Sequence, residues 1–184
     1  MIQTITIKYC SNNTINADDY MNSYKYQVTK IDRIPEMANK VETLVASSPI
    51  TCPADKFYNF FKFTMNDIVK IFPAAFTGVE IIEGEEGVAG SVKLWHYILG
   101  GIPLTAKVLT EAIDDGAKTI KFAVLEGDLL LLYKSFKATL SVSEGSVKWT
   151  FEYEKTTILS PPPELYVPLA VTLCTLVDAF LLIN

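Results

Sequence analysis

A chain of 184 residues, 49% hydrophobic and 20% charged, holds one domain with room for a short appendage and can bury a real core. Its 21 acidic residues exceed its 16 basic ones, and the net charge of −5 excludes a nucleic-acid partner, because phosphate binding requires a basic surface. Cys10, Cys52 and Cys174 are odd in number and lack metal-ligand spacing, so free thiols in a reducing, cytoplasmic compartment are expected.

In chain order, residues 1–36 come first, rich in Asn, Tyr, Asp and Thr and poor in large aliphatics after Ile7. They read as a loose extension, and the opening MIQTITIKYCSNNT does not read as a secretory signal. Met37 begins the expected domain, residues 37–184. KVETLVASSPIT reads as a strand. Thr51-Cys52-Pro53 then opens a helix, ADKFYNFFKF, whose Phe57, Phe60 and Phe61 fall on one side. A second short helix, MNDIVKIF, stops at Pro73. Six strands follow between Gly, Asp or Glu-Gly turns: FTGVEIIE, SVKLWHYIL, PLTAKVLTEAID, KTIKFAVLE, LLLLYKSFKATLSV and SVKWTFEYEKT. Pro161-Pro162-Pro163 leads into a terminal helix, ELYVPLAVTLCTLVDAFLLIN. The fold class is therefore α+β: seven antiparallel strands in a curved sheet, two short helices after the first strand, and a long C-terminal helix across the concave face.

Alternation assigns side chains to a shared interior. Lys93, Trp95 and Tyr97 share one face of their strand, and Ile120, Phe122 and Val124 share another. Leu132, Phe136, Ala138 and Leu140 follow, then Trp149, Phe151 and Tyr153. A curved sheet of seven strands closed by one helix is hard to fill with side chains alone, so a cavity for an apolar ligand is expected; a solid core is the alternative.

The stretch IEGEEGVAGSVKLWHY sets Gly84, Gly87 and Gly90 before the chain's single histidine, His96. A phosphate-cradling loop is one reading, but Glu83, Glu85 and Glu86 would repel an anion and a strand follows where a helix is needed. The glycines are expected to turn the chain between two strands, with His96 facing outward. No metal set and no cofactor motif emerge from the spacing.

GSVKLWHYILGG, FAVLEGDLLLLYKSFKAT, VKWTFEYEKT and ADKFYNFF closely resemble segments of the major latex protein branch of the birch-pollen-allergen (pathogenesis-related class-ten) superfamily, in the same order and over roughly residues 38–184. The resemblance implies the helix-grip, or START-like, fold with a large hydrophobic cavity. It also implies a plant cytoplasmic protein linked to defence and stress, which binds sterols, flavonoids, hormones or similar apolar molecules. Some relatives are enzymes; norcoclaurine synthase uses a lysine, a tyrosine and carboxylates in this cavity for a Pictet-Spengler-type condensation, and others assist cyclisations or isomerisations. Three features depart from the family: the glycines of the loop are not adjacent, residues 1–36 have no counterpart, and PLAVTLCTLVDAFLLI carries one charge, Asp178. A helix apolar all round is buried all round, so this one is expected to be an unusually greasy lid, a stripe docking a partner or a bilayer surface, or a membrane span.

Two functions compete. A monomeric carrier of a hydrophobic small molecule would use Lys93, Trp95, Tyr97, Ile120, Phe122, Val124, Phe136, Trp149, Phe151 and Tyr153 as its ligand-binding wall. A cofactor-free enzyme would use Lys93 as a base or imine-forming amine held against aromatic rings. The plainer reading of Lys93 is an ion pair near the cavity mouth, with Glu126 as partner. Tyr97 and Tyr153 either orient a ligand's polar end or pack. A protein acting through its terminal helix is a third, less supported reading.

Overall fold

The computed structural model describes residues 40–184; the expected extension over 1–36 and the expected domain start at Met37 lie outside the described residues. Strand β1 (Val41–Pro49) leads into helix α1 (Ala54–Phe63), and a 3-10 turn over Met65–Asp67 runs into the one-turn helix α2 (Ile68–Ile71). Six strands follow: β2 (Phe76–Glu83), β3 (Val92–Leu99), β4 (Ile102–Asp114), β5 (Thr119–Gly127), β6 (Tyr133–Ser143) and β7 (Ser146–Lys155). Helix α3 (Tyr166–Ile183) closes the chain. The strands form one antiparallel sheet in the order β1-β7-β6-β5-β4-β3-β2. This is the expected architecture.

Alternation sets the faces. On β7, Val147, Trp149, Phe151 and Tyr153 are buried while Lys148 and Glu152 between them are exposed. Register breaks in the β2–β3 and β4–β5 ladders mark bulges, which bend strands and sharpen their twist. The bent sheet receives Phe57, Phe60 and Phe61 of α1, all buried, with Phe61 edge-on to Trp149 at 5.6 Å between ring centroids.

Two expectations need correction. The run LLLLYKSF is not all strand: Asp128–Leu131 form a 3-10 turn and β6 begins at Tyr133. Gly127 causes the break. Its φ of +124° suits glycine, and a Cβ there would run into the Thr105 carbonyl oxygen. Asp128 fixes the turn by accepting the Thr105 N–H at 2.7 Å and the Thr105 hydroxyl at 3.0 Å. Leu132 consequently leaves the interior and is exposed, as is Leu131, while Leu129 alone of these leucines is buried.

The second correction concerns α3, which is not buried all round. Ala170, Leu173, Cys174, Val177 and Leu181 are buried, whereas Pro168, Thr172, Thr175 and Ala179 face solvent. The composition looks uniformly greasy because the outer face carries no charge: small residues occupy it as far as Ala179, and Leu182 and Ile183 are exposed beyond them. By length and composition α3 is also the helix among the described residues that is long and apolar enough to cross a membrane. Asp178 is committed inside the fold: it accepts the backbone N–H groups of Thr51 at 3.0 Å and Cys52 at 2.8 Å. The turn before α1 is thus held by α3, in place of a side-chain cap of its own. At the other partner of this joint, Lys56 donates to the Leu181 carbonyl at 2.6 Å and satisfies one of the free carbonyls at the end of α3.

Candidate functional site: an aromatic-walled cavity

Register explains why the interior is not filled. Trp95 on β3 lies opposite Ala106 on β4, and Ala138 on β6 lies between Phe122 on β5 and Phe151 on β7. Two alanines among large rings leave a gap in an otherwise bulky wall. The result is a cavity of about 160 Å³ between the sheet and α3. Trp95 and Tyr97 line it from β3, Phe122 and Val124 from β5, Phe136 from β6, and Trp149 and Phe151 from β7. Phe122 and Trp149 stack at 6.0 Å, and Trp149 and Phe151 stand nearly parallel at 6.2 Å, so the wall is largely an aromatic shelf. The hollow is therefore real but smaller than the large cavity expected, because these rings occupy much of the width.

Three expected wall residues stand elsewhere. Lys93 is 5% exposed but turns toward the glycine loop, donating to Glu86 at 2.8 Å and to Asn66 at 2.9 Å. Glu86 also accepts the Asn66 N–H at 3.1 Å, closing a three-residue clasp between the loop and the 3-10 turn before α2. Glu126 is not its partner: it lies directly opposite Lys107 in the β4–β5 ladder and pairs with it at 2.7 Å. Ile120 is 1% exposed and lines, with Lys93, a separate void of about 10 Å³ behind the main cavity. Tyr153 is buried beyond the wall, packed edge-on to Tyr133 at 5.4 Å, with its hydroxyl donating to Glu42 at 3.0 Å. Burial, then the Glu42 carboxylate, pushes its pKa up to about 12.

The cavity also has walls that alternation did not single out. Ala106 and Val108 sit opposite Trp95 and Lys93 in register, so the same period-two reading of β4 would have found them. Leu169, Ala170 and Leu173 come from α3 at helical spacing. Tyr166, in the first turn of α3, gives no periodic signal at all. Its hydroxyl lies 2.6 Å from that of Tyr97, and these two are the only hydroxyls among the side chains lining the cavity. Burial raises the pKa of both phenols, the negative field of Asp128 adds to it, and both stay neutral at any physiological pH. Trp149 supplies the one buried side-chain polar atom without a hydrogen bond among the described residues, its indole nitrogen. No charged side chain lines the cavity among the described residues.

The glycine loop behaves as a turn. Gly84, Gly87 and Gly90 have φ of +73°, +81° and +93°, and β3 follows directly. His96 alternates outward on β3 with its Nε2 3.5 Å from Glu80. Among the described residues no group of His, Cys, Asp and Glu is placed to hold a metal ion.

Comparison with known proteins agrees with this geometry. The family model described as the pathogenesis-related protein Bet v 1 family matches residues 39–184. Major latex protein 146 of Papaver somniferum is 41% identical over 129 residues, covering 67% of this chain and 80% of that one. MLP-like protein 43 of Arabidopsis thaliana is 35% identical over 152 residues, 79% of this chain and 94% of that one. The crystal structure of ginseng major latex-like protein 151 from Panax ginseng superposes with a TM-score of 0.74 at 29% identity, covering 76% of this chain and 97% of the other. Norcoclaurine synthase from Thalictrum flavum, solved with dopamine and hydroxybenzaldehyde, shares the fold at 19% identity and a TM-score of 0.62, over 79% and 88% of the two chains.

Proposed function

The chain belongs to the pathogenesis-related protein Bet v 1 family, and from that premise we propose that it binds and carries a hydrophobic small molecule in the cavity under α3. The observation that carries this reading is the void itself: about 160 Å³ kept open by alanines among aromatic rings, with no charge in its lining among the described residues. Transfer of an apolar molecule from water into such a space is favourable, and the preformed wall keeps the ordering cost low. The family description and the buried thiols of Cys52 and Cys174 support a cytoplasmic, defence- or stress-linked role in a plant cell. The reading requires one chain and one apolar ligand, with no cofactor and no nucleic acid.

The enzymatic alternative, a cyclase, isomerase or condensing enzyme, rests on Lys93. That amine is held by Glu86 and Asn66 outside the cavity lining, which argues for the carrier. Native mass spectrometry of the purified protein mixed with a plant extract tests the proposal without choosing a ligand in advance. A retained one-to-one adduct is expected, and Ala138→Leu, which fills the gap, should weaken it at least tenfold while keeping the fold. A protein that retains nothing, or one whose adduct is indifferent to Ala138→Leu, sinks the reading.

A further inference from the structure

We propose that the Tyr97–Tyr166 hydroxyl pair is the polar end of the binding site, and that the ligand is a neutral, single-ring apolar molecule presenting one oxygen acceptor to it. This rests on the carrier reading and narrows it to a ligand class.

The donor arithmetic comes first. Two phenols carry two O–H protons, and one is spent in the 2.6 Å bond between them. Neither oxygen has another hydrogen-bond partner among the described residues, so the second proton has no acceptor in the protein. Tyr97 is 5% exposed, and a buried donor left without an acceptor is costly. Both side chains line the cavity, so an oxygen brought in by a ligand reaches them from the apolar side. A phenol already accepting a hydrogen bond is a better donor for the next one, so the pair favours an acceptor more than a lone tyrosine would.

Charge and volume set the rest. The lining offers no cation among the described residues, and Asp128 lies close enough to raise the pKa of both tyrosines. A carboxylate or phosphate would be desolvated without a counter-charge, so the acceptor is neutral: a carbonyl, ether or hydroxyl oxygen. An apolar cavity of about 150 Å³ takes up a molecule the size of benzene. At about 160 Å³ this one suits a single ring with a short substituent. Fused four-ring molecules need pockets of roughly 300 Å³ or more.

The test uses two probes of one shape, acetophenone and α-methylstyrene, which differ only in C=O against C=CH₂. Titration calorimetry compares the wild type with the double variant Tyr97→Phe, Tyr166→Phe. The double variant is chosen because either phenol alone would still own a free proton. Removing both hydroxyls together orphans neither and keeps the rings. The expected result is that the preference for acetophenone over α-methylstyrene falls about fivefold to tenfold in the variant, while α-methylstyrene binds within about twofold of wild type. Benzoate should bind wild type at least tenfold more weakly than acetophenone. Independently of any variant, the infrared carbonyl stretch of bound acetophenone should shift to lower frequency than in hexane. An unchanged preference with α-methylstyrene still bound, a carbonyl band at its hexane position, or benzoate bound as well as acetophenone overturns the hydroxyl assignment and leaves the carrier reading standing. Failure of both neutral probes to bind wild type overturns the carrier reading, and this inference with it.

Discussion

Lys93 shows what burial does to a charged side chain. The alternation of β3 sends it inward, and the interior accepts it only because Glu86 and Asn66 meet it at 2.8 and 2.9 Å. Lys93→Met should therefore lower stability by about 2 kcal/mol in urea denaturation, because Glu86 is left without its cation. The same variant should bind an apolar probe as tightly as wild type; a selective loss of binding with unchanged stability would restore Lys93 to the site. The inward direction of Lys93 was legible from the strand period, but its partner was not. Glu86 lies in a loop whose path depends on three glycines at positive φ. Tyr166 was illegible for a different reason: its partner Tyr97 is distant in sequence, and nothing local marks two hydroxyls that meet across a cavity.

At the scale of elements, α3 is both wall and clasp. Burial raises the pKa of Asp178, but the Cys52 thiol and the N–H groups of Cys52 and Thr51 outweigh it and hold the carboxyl below its ordinary 3.8. A carboxylate depressed in the folded state contributes stability that is fully present above the unfolded value and is lost as pH falls through the folded one. Asp178→Asn should cost about 2 kcal/mol at pH 7, and that cost should stay constant down to about pH 4 and shrink below it. A difference between the two proteins that grows on acidification would contradict the joint. The sequence announced a long apolar helix here but misdirected its outer face. The exposed positions Thr172, Thr175, Ala179, Leu182 and Ile183 add no charge, so no charge pattern separates the outer face from the buried one. The four leucines after Gly127 misled similarly, since a 3-10 turn and a strand read alike over so short an apolar run.

For the molecule as a whole, the seven strands and their order could be read because each turn is punctuated and each strand alternates. Cavity size could not be read, because it depends on how Trp95, Phe122 and Trp149 tilt around Ala106 and Ala138. The sheet order has a temporal consequence. Within the described residues the ladder partner of β1 is β7, with Leu44 opposite Phe151, so the first strand to be synthesised pairs with the last. Asp178 then ties the segment after β1 to the far end of the chain. Such distant pairings are slow to form. Nascent chains stalled on the ribosome before Lys155 emerges should stay protease-sensitive, and those released after Ile183 should become resistant. Before β7 and α3 have emerged, the aromatic shelf has neither its last strand nor its covering helix, and apolar surface left open in that way is what folding chaperones recognise.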